Sequence, residues 1–142
     1  MKELYSCPGW ILLLGLVVAS LAQANENVQD SAAAIAVDAA VDLVASQENA
    51  VIIDVRTEIE YEQSHITGAV NVNVQGESFR DMVAALDPDK VYIVHCTKNP
   101  VGGRSSRALE TMQSLGFKHL YSLEGGYVAW KDAELPLTKP PD

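Results

Sequence analysis

Short, uninterrupted runs of apolar residues constrain the fold of this chain most strongly. The runs at 50–53 and 91–94 contain valine, isoleucine and tyrosine without the polar alternation of a half-exposed strand. Such runs are typical of strands that are buried on both faces of a sheet. Helical patterns lie between them, and strands that alternate with helices favour an α/β domain with a mainly parallel sheet.

The remaining elements are predicted from spacing, caps and breakers. Thr57 is expected to cap a short helix that ends near Gln63, with Glu58 and Glu60 in its first turn, where the helix dipole favours acidic groups. Gly116 is expected to stop the longest helix. The predicted helices are 38–46, 57–63, 79–86, 104–115 and a last turn at 128–131. The predicted strands are 50–55, 69–74, 91–94 and 119–122.

Composition limits the class of protein. The chain of 142 residues is 48% hydrophobic and 20% charged, which is typical of one globular domain. Its formal net charge of −9 repels phosphate backbones, so we predict no nucleic-acid partner. Two cysteines exclude a disulfide-dense scaffold, and neither they nor the three histidines have a metal-ligand spacing. We therefore predict no metal and no cofactor.

The first 24 residues have the pattern of an export signal. An apolar run from Trp10 to Val18 precedes Ala22-Gln23-Ala24, a small-x-small cleavage site, and the run is too short for a membrane span. We expect cleavage before Asn25, a periplasmic or secreted product, and no stable membrane insertion after processing; an uncleaved anchor is the alternative. Residues 25–34 are expected to be flexible, and 136–142 to form a C-terminal tail.

The segment 91–107, VYIVHCTKNPVGGRSSR, carries the chemistry. A buried strand delivers Cys96 at its C-terminal end, and a glycine-containing loop then leads into a helix. Loop N–H groups and a helix N-terminus form an anion cradle, and nearby cations favour a thiolate. No acidic residue lies between Asp89 and Glu110, whereas four basic ones do: Lys90, Lys98, Arg104 and Arg107. We predict an anion pocket around a nucleophilic Cys96; a buried, inert thiol is the alternative.

Three motifs in order resemble the rhodanese-like sulfurtransferases. Residues 53–69, IDVRTEIEYEQSHITGA, are similar to the first signature of that family, D-x-R…E-[YF]…H-I-x-G-A. His95-Cys96 with the following loop resembles the active-site segment, and 124–130 resembles the closing G-G…W element. With its leader, the chain resembles exported single-domain members of the phage-shock E type. The resemblance implies a rhodanese-like domain over 35–135, with a central, mainly parallel five-stranded sheet flanked by helices.

The length of the active-site loop differs from the family pattern. Seven residues separate Cys96 from Arg104, whereas common single-domain members have four, and the related phosphatases need five. The extra length is expected around 99–101. Two other functions therefore stay open. One is a phosphatase or arsenate-reductase-like enzyme that uses the same cradle, and the other is a non-catalytic envelope module that binds an anion or a protein.

The resemblance also implies roles for individual residues. Cys96 would carry sulfane sulfur as a persulfide, taken from a small anionic donor such as thiosulfate and passed to cyanide or to a thiol, including protein thiols. Loop N–H groups would hold the persulfide, while Lys98 and Arg104 would offset the charge of the donor. The expected substrate-binding residues are Thr97, Lys98, Asn99, Val101, Gly102, Gly103 and Arg104. The expected structural supports are the ion pair of Asp54 with Arg56, His65 and Gly125.

Overall fold

A central parallel sheet organises the protein. The computed structural model describes residues 32–141, so the predicted export signal lies outside the described residues. Five strands are hydrogen-bonded in the order β1-β6-β5-β2-β4, and every pairing is parallel. The predicted fold class is therefore confirmed. These strands are β1 (Ala33–Ile35), β2 (Ala50–Asp54), β4 (Val70–Asn71), β5 (Val91–His95) and β6 (His119–Leu123).

Helices cover both faces of this sheet. They are α1 (Val37–Ser46), α2 (Glu58–Gln63), α3 (Phe79–Ala84), α4 (Arg104–Ser114) and α5 (Gly126–Asp132). Side chains along each strand alternate between two cores, as the pleat requires. On one face, Ile53 and Val94 pack with residues of α3 and α4. On the other face, Ile52 and Ile93 pack with Ala40 of α1 and Trp130 of α5. Within residues 32–141, no helix is both long enough and apolar enough to cross a membrane.

Three short strands were not predicted. Ala33 and Ala34 belong to β1, which pairs with β6, so the segment expected to be flexible ends in an edge strand of the sheet. Likewise, the expected C-terminal tail contains β7 (Leu137–Thr138), which pairs antiparallel with β3 (His65–Ile66). These strands have only two or three residues each, and such short strands are stabilised by their partners rather than by their own propensity.

The boundaries of other elements also differ from the prediction. The predicted strand 69–74 contains only two ladder residues, although the amides of Val72 and Val74 still donate to the Asp54 and Val55 carbonyls. Helix α5 begins at Gly126, two residues before the predicted turn. This earlier start brings the first amides of α5 to the segment that follows Cys96.

Candidate active site

The C-terminal edge of the sheet brings the predicted site residues together. Because all five strands are parallel, β2, β5 and β6 end at the same edge. Asp54 is the last residue of β2, Cys96 directly follows β5, and Gly125 lies between β6 and α5. Ligands bind at this edge in open α/β sheets.

Cys96 is a free, buried thiol whose sulfur lies beside the first turn of α4. Its side chain belongs to the core on the α4 face, and only 3% of the residue is exposed. The sulfur lies 3.7 Å from the Oγ of Ser105, in the first turn of α4. A helix N-terminus favours a negatively charged sulfur. The strand, the loop and α4 therefore place the sulfur of Cys96 beside the first turn of a helix.

The N-terminus of α5 holds the first two peptide units of the loop. The amides of Tyr127 and Val128 donate to the carbonyls of Cys96 and Thr97, both at 3.0 Å. In a planar trans peptide unit, the N–H points opposite to the C=O. The amides of Thr97 and Lys98 therefore point away from α5, as neighbouring donors on one side of the chain.

Gly126 is required for this contact. A Cβ at Gly126 would lie 2.6 Å from the Cys96 carbonyl oxygen and 2.9 Å from that of Thr97, and its φ of 58° is in the left-handed region. Gly125, the predicted support, also has a positive φ of 68°, and its Cβ would meet the Cβ of Ala129 at 2.6 Å. Gly126 therefore lets α5 approach the Cys96 loop closely, whereas Gly125 avoids a clash within the first turn of α5.

Asn99 is folded inward beneath the loop. Its Oδ1 accepts a hydrogen bond from the Cys96 amide at 2.5 Å. Its Nδ2 donates to the Val94 carbonyl and to the Ser122 hydroxyl, each at 3.2 Å. Asn99 has a φ of 49°, which asparagine tolerates better than most residues do. The side chain that the sequence suggested for substrate binding therefore joins the loop to the ends of β5 and β6.

The outer half of the loop is a tight turn. Gly103 donates its amide to the Pro100 carbonyl at 3.0 Å, and Gly102, with a φ of 72°, donates to the Ser106 hydroxyl at 3.1 Å. Val101 at the tip is fully exposed, and so is much of Lys98. The residues around 99–101, where extra length was expected, thus form a protruding turn.

Arg104 closes the loop by a hydrogen-bonded trio. Its Nη1 donates to Glu60 Oε2 at 2.6 Å, and its Nη2 donates to Glu60 Oε1 at 3.0 Å and to the Thr97 hydroxyl at 2.8 Å. The Thr97 hydroxyl in turn lies 3.2 Å from Glu60 Oε1. The bonds from Arg104 lower the pKa of Glu60 to about 2, and the carboxylate raises the pKa of Arg104. Arg107, by contrast, is exposed.

A buried ionic cluster lies next to Cys96. Arg56 binds Asp54 with two nitrogens, the shorter bond being 2.6 Å, and also donates to the Ser64 carbonyl. His95, the residue before Cys96, is fully buried. Its Nδ1 donates a hydrogen bond to the Cys96 carbonyl at 3.0 Å. Burial lowers the pKa of His95, although the nearby Asp54 opposes this effect. His95 is therefore neutral, and its Nε2 is 3.7 Å from Asp54 without a hydrogen-bond partner among residues 32–141.

His65 lies in the framework that supports α2. Its ring stacks on Tyr61 with the centroids 3.7 Å apart, and its Nδ1 is 2.9 Å from the Tyr61 carbonyl. The structure thus places His65 with the predicted supports rather than with the loop that follows Cys96.

Sequence reasoning missed two residues that contact the loop directly. Glu60 is predicted as a first-turn acid and as the glutamate of the first family signature, yet it also holds Arg104, and Ser105 lies against the sulfur. The spacing Thr57-x-x-Glu60 is the signature of a capping box, which the structure contains. The capping box and the family signature each account for a glutamate at this position, and neither of them indicates a partner 44 residues away.

Comparison with known proteins agrees with this architecture. The rhodanese-like domain family matches residues 37–133. Thiosulfate sulfurtransferase GlpE of Pseudomonas fluorescens is 35% identical over 85 residues, which cover 60% of this chain and 73% of that relative. The crystal structure of a rhodanese-related protein from Thermoplasma volcanium has a TM-score of 0.60 at 27% identity, over 75% of this chain and 97% of that one.

A plant relative is longer than this chain. The mitochondrial protein HIGH ARSENIC CONTENT 1 of Arabidopsis thaliana is 35% identical over 100 residues, 63% of this chain. The matched region spans 57% of the length of that relative. The family match itself covers well over half of the chain described here, from α1 through α5. This chain therefore belongs to the rhodanese-like domain family.

Proposed function

We propose that this protein is a sulfurtransferase that carries sulfane sulfur on Cys96. Membership of the rhodanese-like family and the GlpE relatives support a rhodanese-type enzyme. The observation that carries the proposal is the position of the Cys96 sulfur, at the end of the central strand β5 and 3.7 Å from Ser105 in the first turn of α4.

The first half-reaction loads the cysteine. The Cys96 thiolate attacks the outer sulfur of thiosulfate, a new S–S bond forms, and the old S–S bond breaks with its electron pair leaving on sulfite. The product is a Cys96 persulfide anion. Such covalent catalysis of the ping-pong type requires no cofactor.

The second half-reaction removes the outer sulfur from the Cys96 persulfide. A thiophilic acceptor, cyanide or a thiolate, attacks the outer sulfur of the persulfide, and the electron pair of the breaking S–S bond returns to Cys96. For cyanide the products are thiocyanate and the free thiolate. The proposed acceptors include protein thiols.

The loop supplies donors for the charge that moves onto the outer sulfur. The Thr97 and Lys98 amides, turned away from α5 by their clamped carbonyls, and the first turn of α4 are the proposed binding groups. Preorganised N–H donors in a water-poor site stabilise developing negative charge without reorganisation. His95 and Gly126 act through the Cys96 carbonyl and are positioning residues.

Intact mass tests the proposal directly. After thiosulfate treatment, the wild-type protein is expected to gain one sulfur atom, which cyanide removes with the appearance of thiocyanate. Cys96→Ser, which conserves the size and the contact with Ser105, is the matched control and is expected to gain nothing. Hydrolysis of an aryl phosphate without sulfur loading would instead favour the phosphatase alternative. Anion binding that survives in Cys96→Ser without any turnover would favour a binding module.

The same measurement addresses export. We propose that residues 1–24 are removed and that the mature protein begins at Asn25 in the periplasm or outside the cell. The mass of protein recovered from the exported fraction would then lack the first 24 residues and would include only one titratable thiol, Cys96. Exported protein that retains the leader would overturn this part of the proposal.

A further inference from the structure

We infer that Glu60 is a positioning residue for the active-site loop and that Arg104 serves this loop as a structural partner of Glu60 rather than as the counter-charge of a bound anion. Glu60, Thr97 and Arg104 are named here the Glu60 latch. The kinetic part of the inference rests on the proposed sulfurtransferase function, whereas the structural part does not.

The geometry of the latch uses the whole guanidinium edge. Among residues 32–141, the side chain of Arg104 makes three hydrogen bonds, two to Glu60 and one to Thr97. A bidentate arginine–carboxylate pair fixes orientation as well as distance. Since Thr97 follows the nucleophile and Arg104 begins α4, the latch joins the two ends of the seven-residue loop to one carboxylate.

The carboxylate itself is held firmly. Glu60 Oε2 accepts hydrogen bonds from the amide and the hydroxyl of Thr57, at 3.1 and 2.9 Å, in the capping box of α2. Helix α2 follows directly on Arg56, whose ion pair with Asp54 is buried at the end of β2. The loop is therefore tied to the central sheet through a short and well-bonded path.

The charge of the latch is balanced. One carboxylate neutralises one guanidinium, and the bonds from Arg104 hold Glu60 in its charged form. A donor anion near the loop thus experiences little net charge from this pair. Lys98, exposed on the loop, is a better candidate for long-range attraction of the donor.

A positioning role and a counter-charge role of Arg104 predict opposite effects of one substitution, Glu60→Gln, on kcat/KM for thiosulfate. Glu60→Gln removes the negative charge but keeps a side chain that can complete a capping box. If Arg104 were the counter-charge, losing the competing carboxylate would raise kcat/KM for thiosulfate. If the latch positions the loop, the same substitution lowers kcat, while KM does not rise because the uncovered positive charge attracts the donor.

Two measurements on the full mature chain test the latch. The first is hydrogen exchange of the amides at 97–103, which requires no catalysis. The second is the steady-state rate with thiosulfate and cyanide. For Glu60→Gln, measured well below its midpoint of thermal unfolding, we expect exchange about tenfold faster and kcat about tenfold lower. Glu62→Gln, on the same helix, removes the same charge from an exposed position and is expected to change neither.

Arg104→Lys provides a second variant, because lysine keeps the charge but cannot form the bidentate pair. The latch predicts faster exchange and lower kcat for this variant as well. A rise of kcat/KM in Glu60→Gln, or unchanged loop exchange in both latch variants, would overturn the inference. A wild-type protein that never loads sulfur would refute the proposed function, while the exchange comparison would still decide the role of the latch.

Discussion

The amide of Tyr127 lies 3.0 Å from the carbonyl oxygen of Cys96, so helix α5 and the residue that follows β5 share a hydrogen bond across the end of the sheet. The contact depends on the missing side chain of Gly126, whose Cβ would lie only 2.6 Å from that oxygen. The backbone of α5 and the backbone of the active-site loop thus touch without any side chain between them.

Gly126→Ala is therefore expected to destabilise the protein and to inactivate it. A left-handed backbone costs about 1–2 kcal/mol for alanine, and the displacement of α5 adds to this cost. Urea unfolding and sulfur loading measure the two effects. Gly116→Ala is the matched control, since Gly116 also has a positive φ but has open space around its Cβ. Sulfur loading should survive in this control; equal loss of loading in both variants would show that contact with the Cys96 carbonyl is not the cause.

Removal of Arg56 should destabilise the fold strongly. The Arg56→Ala substitution leaves the buried Asp54 carboxylate without its bidentate partner, and breaking a buried pair from one side costs about 3–5 kcal/mol. Urea unfolding near neutral pH gives the free energy of unfolding. Lys118→Ala removes a solvent-exposed ion pair with Asp89 and should leave that free energy unchanged within error. Similar effects for the two substitutions would contradict the importance of burial.

Stability should fall on mild acidification because of His95. Burial lowers the pKa of His95 below its usual 6.5, so the unfolded chain takes up a proton that the folded protein does not. The free energy of unfolding therefore decreases as pH falls below 6.5 towards the folded pKa. His95→Asn, whose amide can replace the Nδ1 donor, should flatten this dependence between about pH 7 and about pH 5.

His119→Asn, which removes a histidine from an exposed position, is the control for the loss of a histidine. A wild-type curve that stays flat over the same range would argue against a neutral, buried His95. Protonation of Glu60 lowers the free energy of unfolding in a separate and more acidic pH range, because its pKa is lowered from the usual 4.5 to about 2.

Replacing the cations in and after the Cys96 loop should lower kcat/KM for thiosulfate by unequal amounts. Arg104→Ala breaks the latch and leaves the Glu60 carboxylate uncompensated beside Thr97, so we expect kcat/KM for thiosulfate to fall at least about tenfold. Lys98→Ala should cost less, because salt screens an exposed cation, and Arg107→Ala should do little. Steady-state kinetics at low and high salt measure the three effects. A larger loss in Lys98→Ala than in Arg104→Ala would reverse the assignment.

A second substitution separates the two causes of the Arg104→Ala loss. Glu60→Gln in the Arg104→Ala background removes the uncompensated carboxylate but does not rebuild the latch. We expect a partial recovery of kcat/KM. No recovery at all would show that repulsion by Glu60 contributes nothing.

The features that sequence predicted are those with strong local signals. The buried runs of β2 and β5 and the helix that starts at Arg104 are all present, because continuous apolar segments and a glycine-to-helix transition leave few alternatives. The position of Cys96 at the strand end followed from these elements alone.

The partners of polar side chains could not be predicted in the same way. Asn99 was expected to face the substrate, yet its amide reaches Val94 and Ser122, and the second of these belongs to a strand that is distant in sequence. Arg104 was expected to meet the donor charge, but Glu60 lies within reach only because α2 packs beside the loop. Such pairings depend on how elements pack, and no spacing in the sequence encodes them.

Strand β1 has a consequence for the order in which the chain can fold. Ala33 pairs with Tyr121, so the first of the described strands has no partner until β6, more than 80 residues later, becomes available. Contacts between distant segments form late, because closing a long loop costs conformational entropy. Of the described strands, the first to leave the ribosome would thus be among the last to join the sheet.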